Sequence, residues 1–277
     1  MDLNELSLPP FERGWVWLVG AGPGDPALLT VGALHALRSA DIVVHDALVD
    51  ARILEMARPN AELIYAGKRG GKPSPKQPDI SARLVALART GRKVLRLKGG
   101  DPFLFGRGGE EALALVAAEI PFRVIPGITA AVGGLAYAGI PMTHRATATA
   151  VTFVTGHNLS GKVPDNLDWA ALANGAQVLI FYMALKHIDE IVARLLAAGC
   201  QPETPAALIA DATTERQHIV ETCLGDAPQA AAGMSPPALF VVGEVVRLRD
   251  GLDWLGALSG KVLDHDPLRH GDVRDAG

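Results

Sequence analysis

The chain has little cysteine, few aromatic residues and no long apolar run. Its 2 cysteines, Cys200 and Cys223, form no CxxC pair, which excludes a disulfide framework and a zinc knuckle. No apolar stretch approaches the roughly 18 residues that span a bilayer, and residues 1–5 lack the basic start of a signal peptide. We therefore expect a cytoplasmic protein that does not bind a membrane.

Positive and negative charges nearly balance over the whole chain, although the basic residues are unevenly distributed. A net charge of −4 argues against general nucleic-acid binding. Basic residues nevertheless concentrate in two neighbouring stretches that contain almost no acid. These residues are Lys68, Arg69, Lys72 and Lys76, followed by Arg92, Lys93, Arg96 and Lys98. The stretches predict either a solvated basic face or a site for an anionic ligand.

Strand-like and helix-like segments alternate along the chain, which predicts an α/β fold. Predicted strands cover residues 15–19, 41–45, 93–97, 122–125, 150–155, 177–182, 206–210 and 238–242. Predicted helices cover residues 27–39, 79–90, 110–118 and 187–198. The pattern restarts after a linker at 141–150. We expect an N-terminal α/β domain over 1–142, a C-terminal α/β domain over 143–258, a loosely ordered polar tail over 259–277, and the main ligand cleft between the domains.

Five short glycine- and proline-rich turns lie where predicted strands end. They are GAGPGD (20–25), GGDPF (99–103), PGITA (126–130), GIPMTHR (139–145) and PPA (236–238). Small ligands of open α/β sheets bind at the carboxyl ends of the strands, where glycine lets the backbone approach a ligand closely. The turns predict a ligand-binding enzyme.

The first turn superficially resembles a dinucleotide-binding fingerprint, with Gly20 and Gly22 after a strand and Asp46 after the next. However, Pro23 has no N–H group to offer a pyrophosphate, and Asp25 places negative charge at the helix entry. A neutral or cationic ligand is favoured, such as the sulfonium S-adenosylmethionine. A purely structural tight turn is the alternative.

The second turn places two glycine pairs, an acid and two aromatic residues between a strand and a helix. Asp101 can accept a hydrogen bond from an amine or a hydroxyl, and Arg107 can reach an anionic substrate. Alternatively, Asp101 is an N-cap or the first residue of an Asx-turn, since Pro102 follows it at a plausible first helical position.

Together these motifs resemble the uroporphyrinogen-III C-methyltransferases of the tetrapyrrole methylase family, in order and spacing from about residue 14 to residue 254. The matching segments are VGAGPGDP (19–26), VHDALV (44–49), AGKR (66–69), residues 96–111, VIPGITA (124–130), AGIPMTHR (138–145) and PALFVVGEV (237–245). The resemblance implies the tetrapyrrole methylase fold and a homodimer. It also implies transfer of two methyl groups from S-adenosylmethionine to C2 and C7 of uroporphyrinogen III. The products would be precorrin-2, formed through precorrin-1 in cobalamin- or sirohaem-type biosynthesis, and S-adenosylhomocysteine.

The same resemblance implies a role for particular residues. Ten positions would surround the methyl donor: Pro23, Gly99, Gly100, Asp101, Leu104, Thr129, Ala130, Met183, Ala212 and Ala238. Asp46 and Lys68 fall on positions of a proton acceptor and a proton donor, and Arg107, Glu110 and Arg145 fall on positions that line the tetrapyrrole. Arg107 is also the strongest single candidate for the chemistry, so the expected catalytic residues are Arg107, Asp46 and Lys68. Ala212 stands where the family often has glycine.

Elementary chemistry agrees with a tetrapyrrole substrate and leaves one role open. Uroporphyrinogen carries eight carboxylates, so its enzyme needs local Arg and Lys. Methyl transfer from a sulfonium requires no metal, and alignment of the two carbons matters most. Arginine is a poor proton acceptor, so Arg107 either positions carboxylates or relays a proton through water while Asp46 takes it.

Two other classes of function compete with this interpretation. A nicotinamide-dependent oxidoreductase needs a pyrophosphate at residues 21–25, and a noncatalytic anion-binding module leaves the clustered turns unexplained. We expect His45, His144 and His157 to serve in packing or hydrogen bonding, because they lack metal-ligand spacing.

Overall fold

The computed structural model describes residues 6–67, 77–158 and 160–269. The chain divides into two compact units, which meet in the sequence at Thr129 and Ala130. Lys68, one of the predicted site residues, lies outside the described residues, as do the basic residues 69, 72 and 76. Among the described helices, none is both long enough and apolar enough to cross a membrane.

The first unit is an open parallel sheet with helices on both faces. Its strands are β1 (Val16–Gly20), β2 (Ile42–His45), β3 (Glu62–Tyr65), β4 (Val94–Lys98) and β5 (Phe122–Ile125), and its helices are α1 (Val31–Ser39), α2 (Ala51–Leu54), α3 (Gln77–Arg89) and α4 (Gly108–Ala117). The strand order is β3-β2-β4-β1-β5, and every neighbouring pair is parallel. All five strands therefore end at the same edge, where parallel sheets bind ligands.

The apolar sequence of the inner strands explains why they lie at the centre of this unit. All residues of β1 are buried, as expected for a parallel strand that is covered on both faces. One face packs against the buried alanines and leucine of α1. The other face packs against Leu84 of α3 and Leu115 of α4. Thr30 begins α1 by accepting a hydrogen bond from the N–H of Ala33 at 3.1 Å.

The second unit is built on a mixed sheet. Its strands are β6 (Thr152–Thr155), β7 (Leu179–Tyr182), β8 (Pro205–Ala210), β9 (His218–Cys223) and β10 (Ala238–Val242), and its helices are α5 (Ala130–Tyr137), α6 (Trp169–Gly175), α7 (Ile188–Ala197), α8 (Ala227–Ala230), α9 (Arg249–Leu252) and α10 (Trp254–Leu258). The strand order is β6-β7-β10-β8-β9. Only β6 and β7 pair in parallel, while the other neighbours are antiparallel. The two units therefore differ in sheet topology.

Helix α5 belongs to the second unit, although the predicted domain boundary after residue 142 assigned it to the first. Its buried residues Ala131 and Leu135 share an apolar cluster with Ile180 of β7 and Val241 of β10. This packing places the division of the chain at residue 130, at the start of α5.

The first part of the predicted tail packs onto the second unit. The Lys261 ammonium lies 3.0 Å from the Asp253 carboxylate, and the N–H of Asp264 donates to the carbonyl of Asp250 at 2.9 Å. Asp253 also accepts from Arg249 at 2.9 Å and is almost fully buried. Residues 261–264 are therefore held more closely than their polar composition predicts.

We expect Asp253→Asn to reduce stability at neutral pH and to have less effect in acid. Burial alone would raise the pKa of Asp253, but the N–H of Gly256 and the cations Lys261 and Arg249 lower it below its ordinary value of 3.8. The stabilisation is therefore present above that value and is lost as pH falls through the depressed folded-state pKa. Losing these charged contacts should cost about 1.5–3 kcal/mol.

Thermal unfolding of Asp253→Asn at pH 7 and at pH 3 measures this effect. Asp250→Asn is the control, because Asp250 is exposed and contacts the tail through its backbone carbonyl. An equal loss of melting temperature at both pH values would contradict the expected dependence on charge.

Candidate functional site

Three of the predicted turns meet at the carboxyl edge of the first sheet by direct backbone contact. A Cβ atom on Gly20, at the end of β1, would stand 2.5 Å from the carbonyl oxygen of Gly100 and 2.5 Å from the Cα of Gly127. A Cβ on Gly127 would clash with the same carbonyl oxygen. Gly22 and Gly100 also exchange two backbone hydrogen bonds, of 3.2 and 2.7 Å. Only glycine allows the turns after β1, β4 and β5 to lie this close.

The Asp101 side chain joins two of these turns. One carboxylate oxygen accepts from the N–H groups of Phe103 at 2.8 Å and Leu104 at 3.1 Å. The other accepts from the N–H of Gly127 at 3.0 Å. The Asx-turn left open by the sequence is therefore present, and the carboxylate also fixes the turn after β5. Its contact with a methyl donor stays a prediction.

Asp25 occupies the helix entry where a dinucleotide pyrophosphate would bind. It caps the short 3₁₀-helix Pro26–Leu28, and its carboxylate accepts from the N–H of Ala27 at 2.8 Å. Pro23 precedes it and has no N–H group. A pyrophosphate at this turn would face a carboxylate rather than free N–H groups. The turn therefore suits a neutral or cationic ligand.

Arg107 and Glu110 form a two-pronged ion pair at the start of α4. Arg107 Nε lies 2.9 Å from Glu110 Oε1, and one terminal nitrogen lies 2.7 Å from Oε2. Arg107 is the N-cap residue, with a left-handed φ of 58°. The hydrogen bond to Glu110 raises the pKa of Arg107 above its ordinary value and lowers that of Glu110. Both side chains are about half exposed and thus accessible to a substrate.

A buried charge cluster lies between β4 and α4. Glu111, which has no exposed surface, accepts through Oε1 from Gln77 at 2.9 Å, Arg96 Nε at 3.1 Å and Lys98 Nζ at 3.2 Å. Burial and the neighbouring Arg96 cation lower the pKa of Lys98 below its ordinary value, although Glu111 opposes this shift. The cluster attaches the first turn of α4, which carries Arg107, to the end of β4.

Arg96 and Lys98 are thus not part of a solvated basic face. Their side chains are 3% and 4% exposed, so that interpretation is wrong for these two residues. The predicted strand at 93–97 ends one residue before Lys98; in β4 as observed, residues 96 and 98 lie on the same face of the strand. Two cations on a buried face require a carboxylate nearby, and Glu111 supplies it.

Asp46, which follows β2, lies at the rim of this cluster. Its Oδ1 accepts from the N–H of Leu48 at 3.1 Å, and its Oδ2 lies 3.6 Å from a terminal nitrogen of Arg96. The side chain is 25% exposed. The predicted acid–base residue Asp46 is therefore fixed by groups from its own loop and from β4.

The predicted donor-binding residues of the second unit lie at one edge of its sheet. Met183 directly follows β7, and Ala238 begins β10 opposite Ala210, the last residue of β8. Ala212 lies two residues beyond β8. Met183 has a left-handed φ of 56° and is 42% exposed. Met183 is therefore not a core residue, which was the default expectation for a methionine after a strand.

Helix α5 is seated against this same edge. The N–H of Ala131 donates to the Tyr182 hydroxyl at 3.0 Å. A Cβ on Gly134 would lie 2.9 Å from the Cβ of Ala212, so the helix and the turn after β8 share little space. Ala130, at the start of α5, therefore lies near the ends of β7 and β8.

The remaining predicted residues occupy similar turns. Thr129 is buried, Leu104 is half-buried in the turn that Asp101 organises, and Arg145 is an exposed cation in the turn closed by His144 and Ala148.

His45 stacks edge-on against Tyr65, at 5.5 Å between ring centroids. The Nδ1 atoms of His144 and His157 lie 3.3 and 3.1 Å from backbone groups, which agrees with the expected packing and hydrogen-bonding roles.

The fold and the turns define the class of protein. A family model described as tetrapyrrole (corrin/porphyrin) methylases matches residues 16–228. The chain therefore belongs to the tetrapyrrole methylase family, which confirms the predicted fold class and the predicted class of enzyme.

Within this family the chain is similar to several enzymes and to solved structures. It is 60% identical over 270 residues to a uroporphyrinogen-III C-methyltransferase from Sinorhizobium sp, covering 97% of this chain and 96% of that protein. It is 49% identical to a siroheme synthase from Psychromonas ingrahamii and spans only 56% of that protein's length. A Thermus thermophilus uroporphyrin-III C-methyl transferase complexed with S-adenyl homocysteine is 39% identical, with a TM-score of 0.74 over 84% of this chain and 99% of that structure.

We expect Glu111→Gln to destabilise the protein far more than Glu110→Gln. The first change leaves the buried Arg96 and Lys98 cations without their shared carboxylate, which should cost about 3–5 kcal/mol. The second removes one partner of an exposed pair and should cost about 1 kcal/mol or less. The free energy of unfolding of the two variants, measured in denaturant, makes the comparison. Equal losses would show that the burial of Glu111 carries no special cost.

Proposed function

We propose that this protein transfers methyl groups from S-adenosylmethionine to C2 and C7 of uroporphyrinogen III, giving precorrin-2 through precorrin-1. The observation that carries the donor assignment is the turn after β1, where Asp25 caps the helix entry at 2.8 Å and Pro23 offers no N–H. This arrangement disfavours the pyrophosphate of a nicotinamide cofactor and accepts a sulfonium. The similarity to a uroporphyrinogen-III C-methyltransferase supports the choice of substrate.

The ten positions named for the donor are proposed to bind it mainly through backbone atoms and shape. The close contact of Gly20, Gly100 and Gly127 and the three N–H bonds to Asp101 give the first unit a rigid set of turns. Such preorganisation supports methyl transfer, because alignment of donor and acceptor carbons is the main contribution an enzyme makes to a displacement.

The chemistry needs a methyl source and, for each of the two methyl groups transferred, a place for one proton. The donor, when bound, supplies a methyl group on a sulfonium sulfur, and its transfer leaves S-adenosylhomocysteine and a positively charged ring that must lose a proton. Arg107 is a poor acceptor for that proton, since Glu110 raises its pKa further. We assign Arg107 to binding of substrate carboxylates and Asp46 to the proton.

Lys68, Arg145 and Glu110 complete the proposed substrate site. Arg145 is exposed, and within the described residues no carboxylate lies within ion-pair distance of it. Its guanidinium is therefore available for a substrate carboxylate. Lys68 is assigned as proton donor on the family position alone. Assembly as a homodimer also stays a proposal from the resemblance.

The donor assignment predicts that the purified protein binds S-adenosylhomocysteine and does not bind NAD. Isothermal titration calorimetry with each compound measures both affinities. Asp25→Asn is a useful companion, because it removes the charge at the helix entry while Pro23 still lacks an N–H group; it should not create an NAD site. Tight NAD binding without S-adenosylhomocysteine binding would overturn the assignment.

Arg107→Ala should lose methylation while it retains S-adenosylhomocysteine binding. Loss of a charge-assisted contact with substrate is worth about 1.5–3 kcal/mol, so kcat/KM should fall roughly tenfold or more. Arg107→Lys should rescue poorly, because lysine cannot reproduce the two-pronged geometry.

The matched control is Arg247→Ala. Arg247 forms a comparable exposed pair with Glu244, at 2.9 Å and the same spacing along the chain, in the second unit. Steady-state kinetics with uroporphyrinogen III should show no change in this variant. Near-normal kcat/KM in Arg107→Ala would remove Arg107 from the site.

A further inference from the structure

Arg96 of β4, the neighbour of β2 in the sheet, links Asp46 to the buried charge cluster around Glu111. Arg96 is 3% exposed, and it points one nitrogen at Glu111 Oε1, at 3.1 Å, and another at Asp46 Oδ2, at 3.6 Å. Its third nitrogen donates to the carbonyls of Leu97, at 3.1 Å, and Val44, at 3.4 Å. The Val44 contact ties β4 to β2, the strand that ends just before Asp46.

The charges of this group require Asp46. Among the described residues, the cluster contains two cations, Arg96 and Lys98, and one fully buried carboxylate, Glu111. A net positive charge in a buried site is costly. Asp46 is the remaining carboxylate within ion-pair distance of these cations, so its ionised form balances the cluster.

The geometry also fixes the direction of the Asp46 carboxylate. Oδ1 is held by the N–H of Leu48, and Oδ2 faces Arg96. If Arg96 swung away, Glu111, which has no exposed surface, would lose one of its three hydrogen-bond donors and keep only Gln77 and Lys98 among the described residues. A rigid supporting shell of this kind is what a proton-accepting carboxylate needs if its lone pairs are to meet the substrate in one orientation.

We infer that Arg96 is a positioning residue, which Glu111 holds on one side and which orients the Asp46 carboxylate on the other. This inference rests on the proposed function, because it assumes that Asp46 acts in methylation. It extends that function to a buried residue that would not touch the substrate.

A double-mutant cycle tests this coupling: wild type, Arg96→Lys, Asp46→Asn and the double variant. Lysine keeps the buried charge, but one ammonium cannot contact Glu111 and Asp46 at once. Arg96→Lys should lower kcat about tenfold in the wild-type background and less than about twofold when Asp46 is already Asn. KM for the donor and S-adenosylhomocysteine affinity should stay within about threefold of wild type in all four proteins. Arg92→Lys, which alters an exposed pair with Glu62, is the control and should leave kcat unchanged.

Melting temperatures of the same four proteins, taken together with kcat, distinguish a failure of the inference about Arg96 from a failure of the proposed function. If wild type methylates but Arg96→Lys lowers kcat equally in both backgrounds, the inference is overturned and the proposed function stands. Full activity in Asp46→Asn overturns it as well. If wild type does not methylate uroporphyrinogen III while the shifts in melting temperature at positions 46 and 96 are non-additive, the proposed function is overturned and Arg96 remains the group that holds Asp46.

Discussion

The contact between three stretches of backbone at the carboxyl edge of the first sheet is the constraint on which the site depends. Gly20, Gly100 and Gly127 touch where side chains would collide, so the turns after β1, β4 and β5 behave as one piece. The Asp101 carboxylate stabilises this set of turns by accepting hydrogen bonds from two of them, the turns after β4 and β5. Because these turns contact one another through backbone atoms, their relative positions do not depend on side-chain rotamers. A site that aligns two carbon atoms benefits from such rigidity.

The buried charge cluster around Glu111 is a second constraint on the site. Glu111 attaches α4 to β4, and α4 begins with the exposed Arg107 and Glu110. The same carboxylate holds Arg96, which reaches Asp46. Groups proposed for substrate binding and for proton transfer therefore share one buried anchor, although they are far apart in the sequence. The α/β framework permits this because β2 and β4 are neighbours in the sheet.

Eight of the described strands could be predicted from sequence, including the edge strands β5 and β6, and two could not. Strands β5 and β10 match the predicted ranges in full. The two strands that were not predicted, β3 and β9, are both edge strands. Edge strands pair on one side only and tolerate residues such as Glu62 and His218, so their pattern is weak. Helix α5 was also missed, since its paired glycines have low helix propensity and only packing against β7 and β10 stabilises it.

The turns of the site were predictable because glycine and proline reveal backbone requirements directly. The buried cluster was not, because the strand pattern places Arg96 and Lys98 on one face but does not show that this face is buried or that Glu111 pairs with them. Two distant positions also depend on each other in the second unit. A Cβ atom on Gly134 of α5 would lie 2.9 Å from the Cβ of Ala212 after β8, so the space between them admits about one methyl group. In this chain the methyl group resides on the turn, at Ala212, rather than on the helix, at Gly134. Substitutions at the two positions are therefore coupled in their effects, and the acceptable residue at either one is defined only once the other is known.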